Sequence, residues 1–386
     1  MATTEPDGKI LFAQMLRGIA ALLVVAHHFT TVMWAPPHAV DNIINMPAPI
    51  FAGRFVTGLS TLDALLQPGY FDFRHWSGLG VALFFLISGF VIPFAIAQTD
   101  RRSFLLGRFW RLWPTYAAGL GLVILTLTLT STLSGRTLPY DGGMIAAHLA
   151  LVSDLTGPFA LDAVSWTLVI EVRFYILCAL LLPLLRRGDF NGLMLTGAFL
   201  LTAAAMIGIW CADVTHIPLT YLWACIATGR TFSMMIFMLI GVAFNFHYRG
   251  LITLPQLSLG CGWFFALFCG AYLLGPWSMG MGDYLVVYGY ALLVFALAYA
   301  TRRFWRCPRW LAWVTRISYP LYVLHAICGY AVMTILVTYG IDPALAFGAA
   351  WSVVIGLAWI IHRWVETPTH DYARALTRRN PLRQAL

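Results

Sequence analysis

Long apolar runs, separated by short polar segments, recur along the whole 386-residue chain. A membrane hydrocarbon core of about 30 Å needs about 20 helical residues to cross it, and ten runs approach or reach that length. They are approximately 11–33, 79–98, 115–134, 164–185, 193–211, 220–244, 257–275, 284–300, 317–338 and 344–364. The pattern predicts an all-α integral membrane protein with about ten transmembrane helices.

Composition strengthens this prediction and excludes other classes. Hydrophobic residues make up 60% of the chain and charged residues only 10%, whereas soluble domains contain about 25% charged residues. The formal net charge is +8. However, the basic residues do not form a stripe interleaved with aromatic residues, so we expect no nucleic-acid partner. The seven cysteines are scattered and never form a CxxC pair, and they indicate neither a metal site nor a disulfide framework.

The distribution of charge between the loops predicts the orientation. Loops on the side of the N-terminus hold sixteen basic residues: Lys9 and arginines 101, 102, 108, 111, 186, 187, 249, 302, 303, 306, 309, 374, 378, 379 and 383. The other side has only Arg54, Arg74 and Arg136. By the positive-inside rule both termini are cytoplasmic in the plasma (inner) membrane. We interpret residues 1–386 as one transmembrane domain with an extracytoplasmic loop at 34–78 and a basic cytoplasmic tail at 365–386.

The first run, "LFAQMLRGIAALLVVAHHFTTVM", contains Arg17, His27 and His28 at membrane depth. Eleven residues turn a helix by about 1100°, about 20° past three full turns, so Arg17 and His28 share one face about 16 Å apart. His27 points about 80° away from Arg17. Ionisable residues inside a membrane are costly and mark functional paths, and the geometry favours His28. Packing against polar groups of other helices is the alternative.

Two further stretches contain candidate contacts for a ligand. Ser88, followed by Gly89, lies near the middle of the second run, where small residues let a helix or a bound donor approach closely. In "FLLGRFWRLWPTY", Arg108 and Arg111 are neighbours on one helical face, and Pro114 marks the expected start of the third span. Two guanidiniums side by side suit a phosphate or pyrophosphate, although both arginines are also explained by interfacial anchoring.

The fourth run places Glu171 about 10 Å from its outer end, close to the depth of about 8 Å estimated for His28. A carboxylate there would fix the tautomer of a catalytic histidine. Glu171 has Arg173 and Arg230 as alternative partners, but Arg173 lies about 200° round the same helix.

Two other ionisable residues fall in the last two runs. His325 lies near mid-depth in the ninth run, and Glu366 follows the tenth. We expect Glu366 to pair with an arginine in a structural role.

Taken together, these stretches resemble the acyltransferase family 3 membrane proteins over essentially the whole chain. The motifs are Arg17 and His28 with ten residues between them, "FFLISGF", "RFWR", "WTLVIEVRFY", "SYPLYVLH" and "VETP", in this order. Departures are Thr167, where such proteins often have Ser, and "VETPTH", where a basic residue commonly follows the proline.

The resemblance implies transfer of an acyl group, usually acetyl from acetyl-CoA or another acyl-CoA, to a hydroxyl of a carbohydrate, with no metal. The family's histidine falls on His28 and its arginine on Arg17. Its Arg-x-x-Arg pair falls on Arg108 and Arg111, which would meet the CoA phosphates. The expected acceptor is a surface polysaccharide such as exopolysaccharide or O-antigen, and a small-molecule glycoside such as a macrolide sugar is the alternative. Membrane lipid is the other expected partner.

Two aspects of the activity stay open at this stage. His28 either removes the acceptor's proton, oriented by Glu171, or forms a covalent acyl-histidine. A carrier that uses Arg17, His28 and Glu171 as a substrate or proton path is a different class of function. A membrane scaffold is a third class, which leaves the Arg17 to His28 stripe unexplained.

Overall fold

The computed structural model describes residues 10–33, 38–48, 73–96, 99–157, 161–212, 217–276 and 282–378, and these residues form helices without a β-strand. The α-helices are α1 Leu11–His27, α2 His38–Ile44, α3 Phe73–Ile96, α4 Arg101–Ser134, α5 Gly142–Leu149, α6 Ser165–Leu180, α7 Leu182–Arg187, α8 Phe190–Trp210, α9 Leu219–Tyr248, α10 Leu254–Leu274, α11 Gly282–Ala300, α12 Arg309–Thr338, α13 Pro343–Ile361 and α14 Thr367–Arg378. A π-helical turn, His28–Val32, continues α1, and a second, His362–Glu366, joins α13 to α14.

Helices coincide with every predicted run, and eight of those described are long and apolar enough to cross a membrane. These eight include α1, α3, α4, α8, α9, α10, α12 and α13. The other two predicted spans are shorter helices, α6 and α11. The chain is an all-α integral membrane protein, as the sequence predicted. The cytoplasmic placement of its termini stays a prediction, and residues 49–72 of the predicted outer loop lie outside the described residues, as do Lys9, Arg54, Arg379 and Arg383.

Two predicted helix boundaries are wrong. The third span was expected to begin at 115, but α4 begins at Arg101, where the side chain of Asp100 accepts a hydrogen bond from the amide of Ser103 and caps the helix. Pro114 therefore lies inside α4 and does not mark its start. The fourth span ends early, at Leu180, since Pro183 lies in the first turn of a separate short helix, α7.

Burial separates interior helices from those at the rim. Most of the apolar stretches of α3, α9 and α12 are buried; α3 and α12 pack against α1, and α9 packs against α3. By contrast, α8 exposes large apolar side chains, namely Leu195, Phe199, Met206, Ile209 and Trp210. Apolar side chains of this size are stable on the outside of the protein when hydrocarbon surrounds them, so this face of α8 meets lipid.

Helices α3 and α9 cross closely at Gly89 and Gly241. A Cβ atom added to Gly89 would collide with the carbonyl of Met238, and one added to Gly241 would collide with the carbonyl of Leu86. Small residues allow two backbones in a membrane to approach in this way. The crossing agrees with close helix packing at Gly89. It also holds the backbone of the adjacent Ser88 in place.

Candidate active site

A small cavity lies inside the bundle between α1, α3, α4, α6 and α12, and we call it the inner cavity. Its volume is about 70 Å³, room for a few water molecules or a group of similar size. Three residues predicted from the sequence, Arg17, Ser88 and Glu171, share its lining. The other polar groups on its wall are hydroxyls of Tyr116, Ser165, Thr167, Ser318, Tyr319 and Tyr322.

The carboxylate of Glu171 accepts two hydrogen bonds at the same oxygen. The hydroxyl of Tyr175, one turn along α6, donates to Oε1 over 2.6 Å, and Oγ of Ser88 donates over 3.2 Å from α3. In His28, Nδ1 instead bonds to the carbonyl of Val24. The expected pairing of Glu171 with His28 is therefore wrong. Glu171 and Ser88 are nevertheless brought together, and their roles stay predictions.

Arg17 presents its guanidinium to the inner cavity with its hydrogen-bonding capacity unused. In the described part of the chain it forms no hydrogen bond and no ion pair, although Glu171, Glu366 and Arg111 act on it electrostatically. A guanidinium has five N–H donors, and leaving donors unpaired inside a membrane protein is unfavourable. The arrangement suits a ligand that brings acceptors into the cavity.

A wider depression of about 270 Å³, which we call the basic pocket, lies where α14 packs against the beginning of α4. Both members of the predicted arginine pair, Arg108 and Arg111, line it. Its remaining lining consists of Ala95, Thr99, Ser103, Phe104, Gly107, His370, Ala373 and Arg374. The pocket thus collects three arginines from two separate helices.

Arg108 is linked to the lining of the inner cavity through Tyr175. Its side chain is only 9% exposed, and its guanidinium carbon lies 5.4 Å from the ring centre of Phe104 and 5.3 Å from that of Tyr175. The ring of Tyr175 thus contacts Arg108 while its hydroxyl holds Glu171. Arg111 is exposed, as an interfacial anchor would be, but Arg108 is not. Tyr175 therefore lies between one lining residue of the basic pocket and one of the inner cavity.

His28 begins the π-helical turn that follows α1, an irregularity common at functional sites. Its Nδ1 lies 2.8 Å from the carbonyl oxygen of Val24. A carbonyl only accepts, so Nδ1 has the proton and Nε2 keeps its lone pair. The ring of His28 lies 4.7 Å from that of His325 and 5.3 Å from that of His27, measured between centroids.

His325 has the same tautomer by the same argument, because its Nδ1 lies 2.8 Å from the carbonyl oxygen of Tyr322. Its Nε2 is buried and makes no hydrogen bond within the described residues. The ring of Tyr322, which lines the inner cavity, lies 5.7 Å from the ring of His325. His325 therefore lies between the cavity wall and His28, which does not itself line the cavity.

Sequence reasoning noted His325 only as a polar residue at mid-depth, and it missed Tyr322 and Tyr175. All three lie in two of the family motifs, "SYPLYVLH" and "WTLVIEVRFY". Tyrosine hydroxyls beside intramembrane charges are the signal that was available, because a buried hydroxyl needs a partner.

The remaining charged residues of α6 and α9 have structural partners. Arg173 forms two bonds of 2.8 Å with the carboxylate of Asp154, so it does not pair with Glu171. The guanidinium of Arg230 lies over the ring of Trp166, 4.7 Å from its centre. Neither arginine lines the inner cavity.

Glu366 has histidine partners where an arginine was expected. One carboxylate oxygen lies 2.6 Å from Nδ1 of His362, and the other lies 3.7 Å from Nε2 of His370. The prediction of an arginine partner is wrong, while the contact remains structural because it joins α13 to α14.

Metal-binding groups and disulfides do not contribute to the region described. The seven cysteines all lie among the described residues and form no disulfide. Among the described residues, no cluster of three or more His, Cys, Asp or Glu side chains suits a metal ion.

Comparison with known proteins assigns the chain to a family. A family model described as an acyltransferase domain, of acyltransferase family 3, matches residues 10–363. Neither the curated proteins nor the solved structures include a match. The matched range covers α1 to α13 and contains Arg17, His28, Arg108, Arg111 and Glu171. The chain therefore belongs to acyltransferase family 3 and is a multi-pass membrane acyltransferase.

Proposed function

We propose that this acyltransferase moves an acyl group, acetyl in the simplest case, from acyl-CoA to a hydroxyl of a carbohydrate acceptor. One observation carries the proposal: a single side chain, Tyr175, contacts both Arg108 of the basic pocket and Glu171 of the inner cavity, so the two spaces are neighbours. The basic pocket suits a polyphosphate, and the narrow inner cavity suits the uncharged arm of such a donor.

Recognition of the donor begins at the arginine pair. CoA has several phosphate groups, and guanidiniums bind phosphate oxygens through paired hydrogen bonds. Arg111 is exposed and free to meet a ligand arriving from water, whereas Arg108 is buried at the inner side of the same pocket. The phosphates therefore stay in the basic pocket, and the pantetheine arm extends inward past Tyr175.

Arg17 guides the arm further toward His28. Its unused donors face the inner cavity, and amide carbonyls of the pantetheine arm are acceptors for them. Arg17 and His28 lie about 16 Å apart along α1, so Arg17 acts on the bound donor and not on the bond being made. Glu171 balances the charge of Arg17 and holds Ser88 toward the same space.

The chemical step takes place at His28. Its Nε2 removes the proton of the acceptor hydroxyl as the hydroxyl oxygen attacks the thioester carbonyl, a role that requires the neutral tautomer fixed by Val24. The carbon–oxygen bond forms, the carbon–sulfur bond breaks, and the proton passes from His28 to the leaving sulfur. The products are the O-acylated carbohydrate and CoA as its thiol.

His325 positions the acceptor for this step. Its Nε2 is a buried acceptor without a partner among the described residues, and such an atom costs about 1–3 kcal/mol. A second hydroxyl of the carbohydrate that donates to this nitrogen removes the cost and holds the sugar against His28.

A covalent acyl-histidine is the competing route. Rapid quenching with radiolabelled acyl-CoA and without acceptor separates the two routes, because only the covalent route leaves label on the protein. We expect no label on His28, and a histidine-linked label would replace direct transfer with the two-step route.

The acceptor is a surface polysaccharide such as exopolysaccharide or O-antigen, and the site is in the plasma membrane with both termini in the cytoplasm. A small-molecule glycoside is the second candidate. Mass spectrometry of surface glycans from cells with and without the protein tests this assignment. Loss of an acyl modification supports it, whereas unchanged glycans with loss of acylation on a small glycoside would favour the second candidate.

A further inference from the structure

The C-terminal helix α14 forms one wall of the basic pocket, a role that neither the motifs nor the family match, which ends at residue 363, assigns to it. His370, Ala373 and Arg374 all face the pocket from α14. They bring a third arginine to a site whose other two arginines lie on α4.

The position of α14 is fixed by contacts on both of its neighbours. Nε2 of His370 donates to the carbonyl oxygen of Arg111 over 3.0 Å, and the ring of Tyr372 meets that of Trp110 with centroids 4.9 Å apart. At the start of the helix, Glu366 is bonded to His362. The helix is therefore held over the first turns of α4, and Arg374 keeps its place at the pocket.

The three arginines differ in depth. Arg108 is buried beside Tyr175, on the side toward the inner cavity, while Arg111 is exposed. Arg374 is also exposed, with 68% of its side chain accessible, and it lies on the separate helix α14. Its ion pair with Asp371 is long, at 3.4 Å, and solvent-exposed, and such pairs contribute little. A phosphate with nearly two negative charges competes well for this guanidinium.

The phosphate groups of CoA also lie at different distances from its thioester. Its diphosphate joins directly to the pantetheine arm, and its third phosphate is on the 3′ carbon of the ribose, farther from the thioester. When the arm extends inward past Arg108, the diphosphate lies near Arg108 and Arg111 and the 3′-phosphate lies nearest the rim. We propose that Arg374 of α14 binds the 3′-phosphate of the donor, so that the C-terminal helix selects CoA over nucleotides lacking that group. This proposal rests on the use of acyl-CoA proposed above.

The test compares CoA with dephospho-CoA, which lacks only the 3′-phosphate. Dissociation constants are measured by calorimetry on the full chain in detergent for the wild type and for Arg374→Ala. We expect the wild type to bind CoA about tenfold more tightly than dephospho-CoA, and the variant to bind both with the weaker, similar affinity. Unchanged binding of dephospho-CoA shows that the variant is folded.

Arg363→Ala is the matched control. Arg363 is exposed, its guanidinium lies over the ring of Trp364, and it lies outside the lining of the basic pocket. This variant should keep the full preference for CoA. The same preference in Arg374→Ala, or none in the wild type, overturns the role of Arg374 while leaving CoA as the donor. If the wild type binds neither ligand, both the use of acyl-CoA and this inference are refuted.

Discussion

The imidazole rings of His28 and His325 lie edge to face, with their centroids 4.7 Å apart. Each ring has Nδ1 bonded to a backbone carbonyl three or four residues earlier, on Val24 and Tyr322. Both Nε2 atoms are therefore acceptors. Two neighbouring acceptors, one of them beside the cavity-lining Tyr322, distinguish this arrangement from a single histidine packed in a core.

Replacement of His325 tests the second acceptor. We expect His325→Leu to lower kcat/KM for transfer about 10- to 100-fold, mainly through KM for the acceptor, because the hydroxyl that donates to Nε2 loses its partner. His325→Gln, whose side-chain oxygen can replace the acceptor, should recover much of this loss. Steady-state kinetics with varied acceptor measures both. Equal losses in the two variants, with KM unchanged, would contradict a positioning role.

The two arginines of α4 should differ in their effect on donor binding. Arg111→Ala removes an exposed contact and should raise the Kd for CoA about three- to tenfold, whereas Arg108→Ala should raise it more than tenfold because its charge lies in the buried part of the pocket. Titration calorimetry with CoA provides the values. Arg102→Ala, an exposed arginine of the same helix outside the pocket lining, is the control. Specific CoA binding that persists in the Arg108/Arg111 double variant would contradict the donor site.

Tyr175→Phe tests the connection between the two spaces. The ring that contacts Arg108 remains, but the 2.6 Å hydrogen bond to Glu171 is lost. CoA binding should stay within about twofold of the wild type while kcat falls about tenfold, because the carboxylate beside Arg17 is no longer held in place. The Kd for CoA and kcat, measured in parallel for the wild type and the variant, test this prediction. A variant that loses CoA binding but keeps kcat would place the hydroxyl in the donor pocket instead.

The crossing of α3 and α9 should tolerate no added volume. Gly89→Ala drives a methyl group into the carbonyl of Met238, and we expect it to destabilise the protein by about 1–3 kcal/mol and to displace Ser88. Gly121→Ala on α4 meets no atom within 4 Å and should leave stability unchanged or slightly higher. Thermal unfolding in detergent compares them, and equal stability of the two variants would contradict the close crossing.

The helical architecture could be predicted because apolar length alone determines it. Boundaries were less predictable: α4 extends back to Arg101 because its charged first turns continue the helix outside the apolar run. At the other extreme, α6 ends at Leu180 because a proline follows within three residues. Hydropathy reports where a chain is apolar, and a helix ends where its backbone hydrogen bonds end.

The site was predictable in its members but not in its contacts. Depth in the membrane matched Glu171 with His28, yet depth does not determine which way each helix faces. The hydroxyl of Tyr175, one helical turn away, donates a hydrogen bond to Glu171 instead. The neighbour of His28 turned out to be His325, from a helix almost 300 residues later in the chain, and such a contact follows only from helix packing.

The most direct test of the central claim measures release of CoA thiol from acetyl-CoA by the purified protein in lipid vesicles, with and without a carbohydrate acceptor. The wild type should release thiol in an acceptor-dependent manner. His28→Ala should reduce that rate at least about 100-fold, while His27→Ala, whose ring lies beside His28 on the same helix, should retain most of it. Activity kept by His28→Ala and lost in His27→Ala would contradict the account.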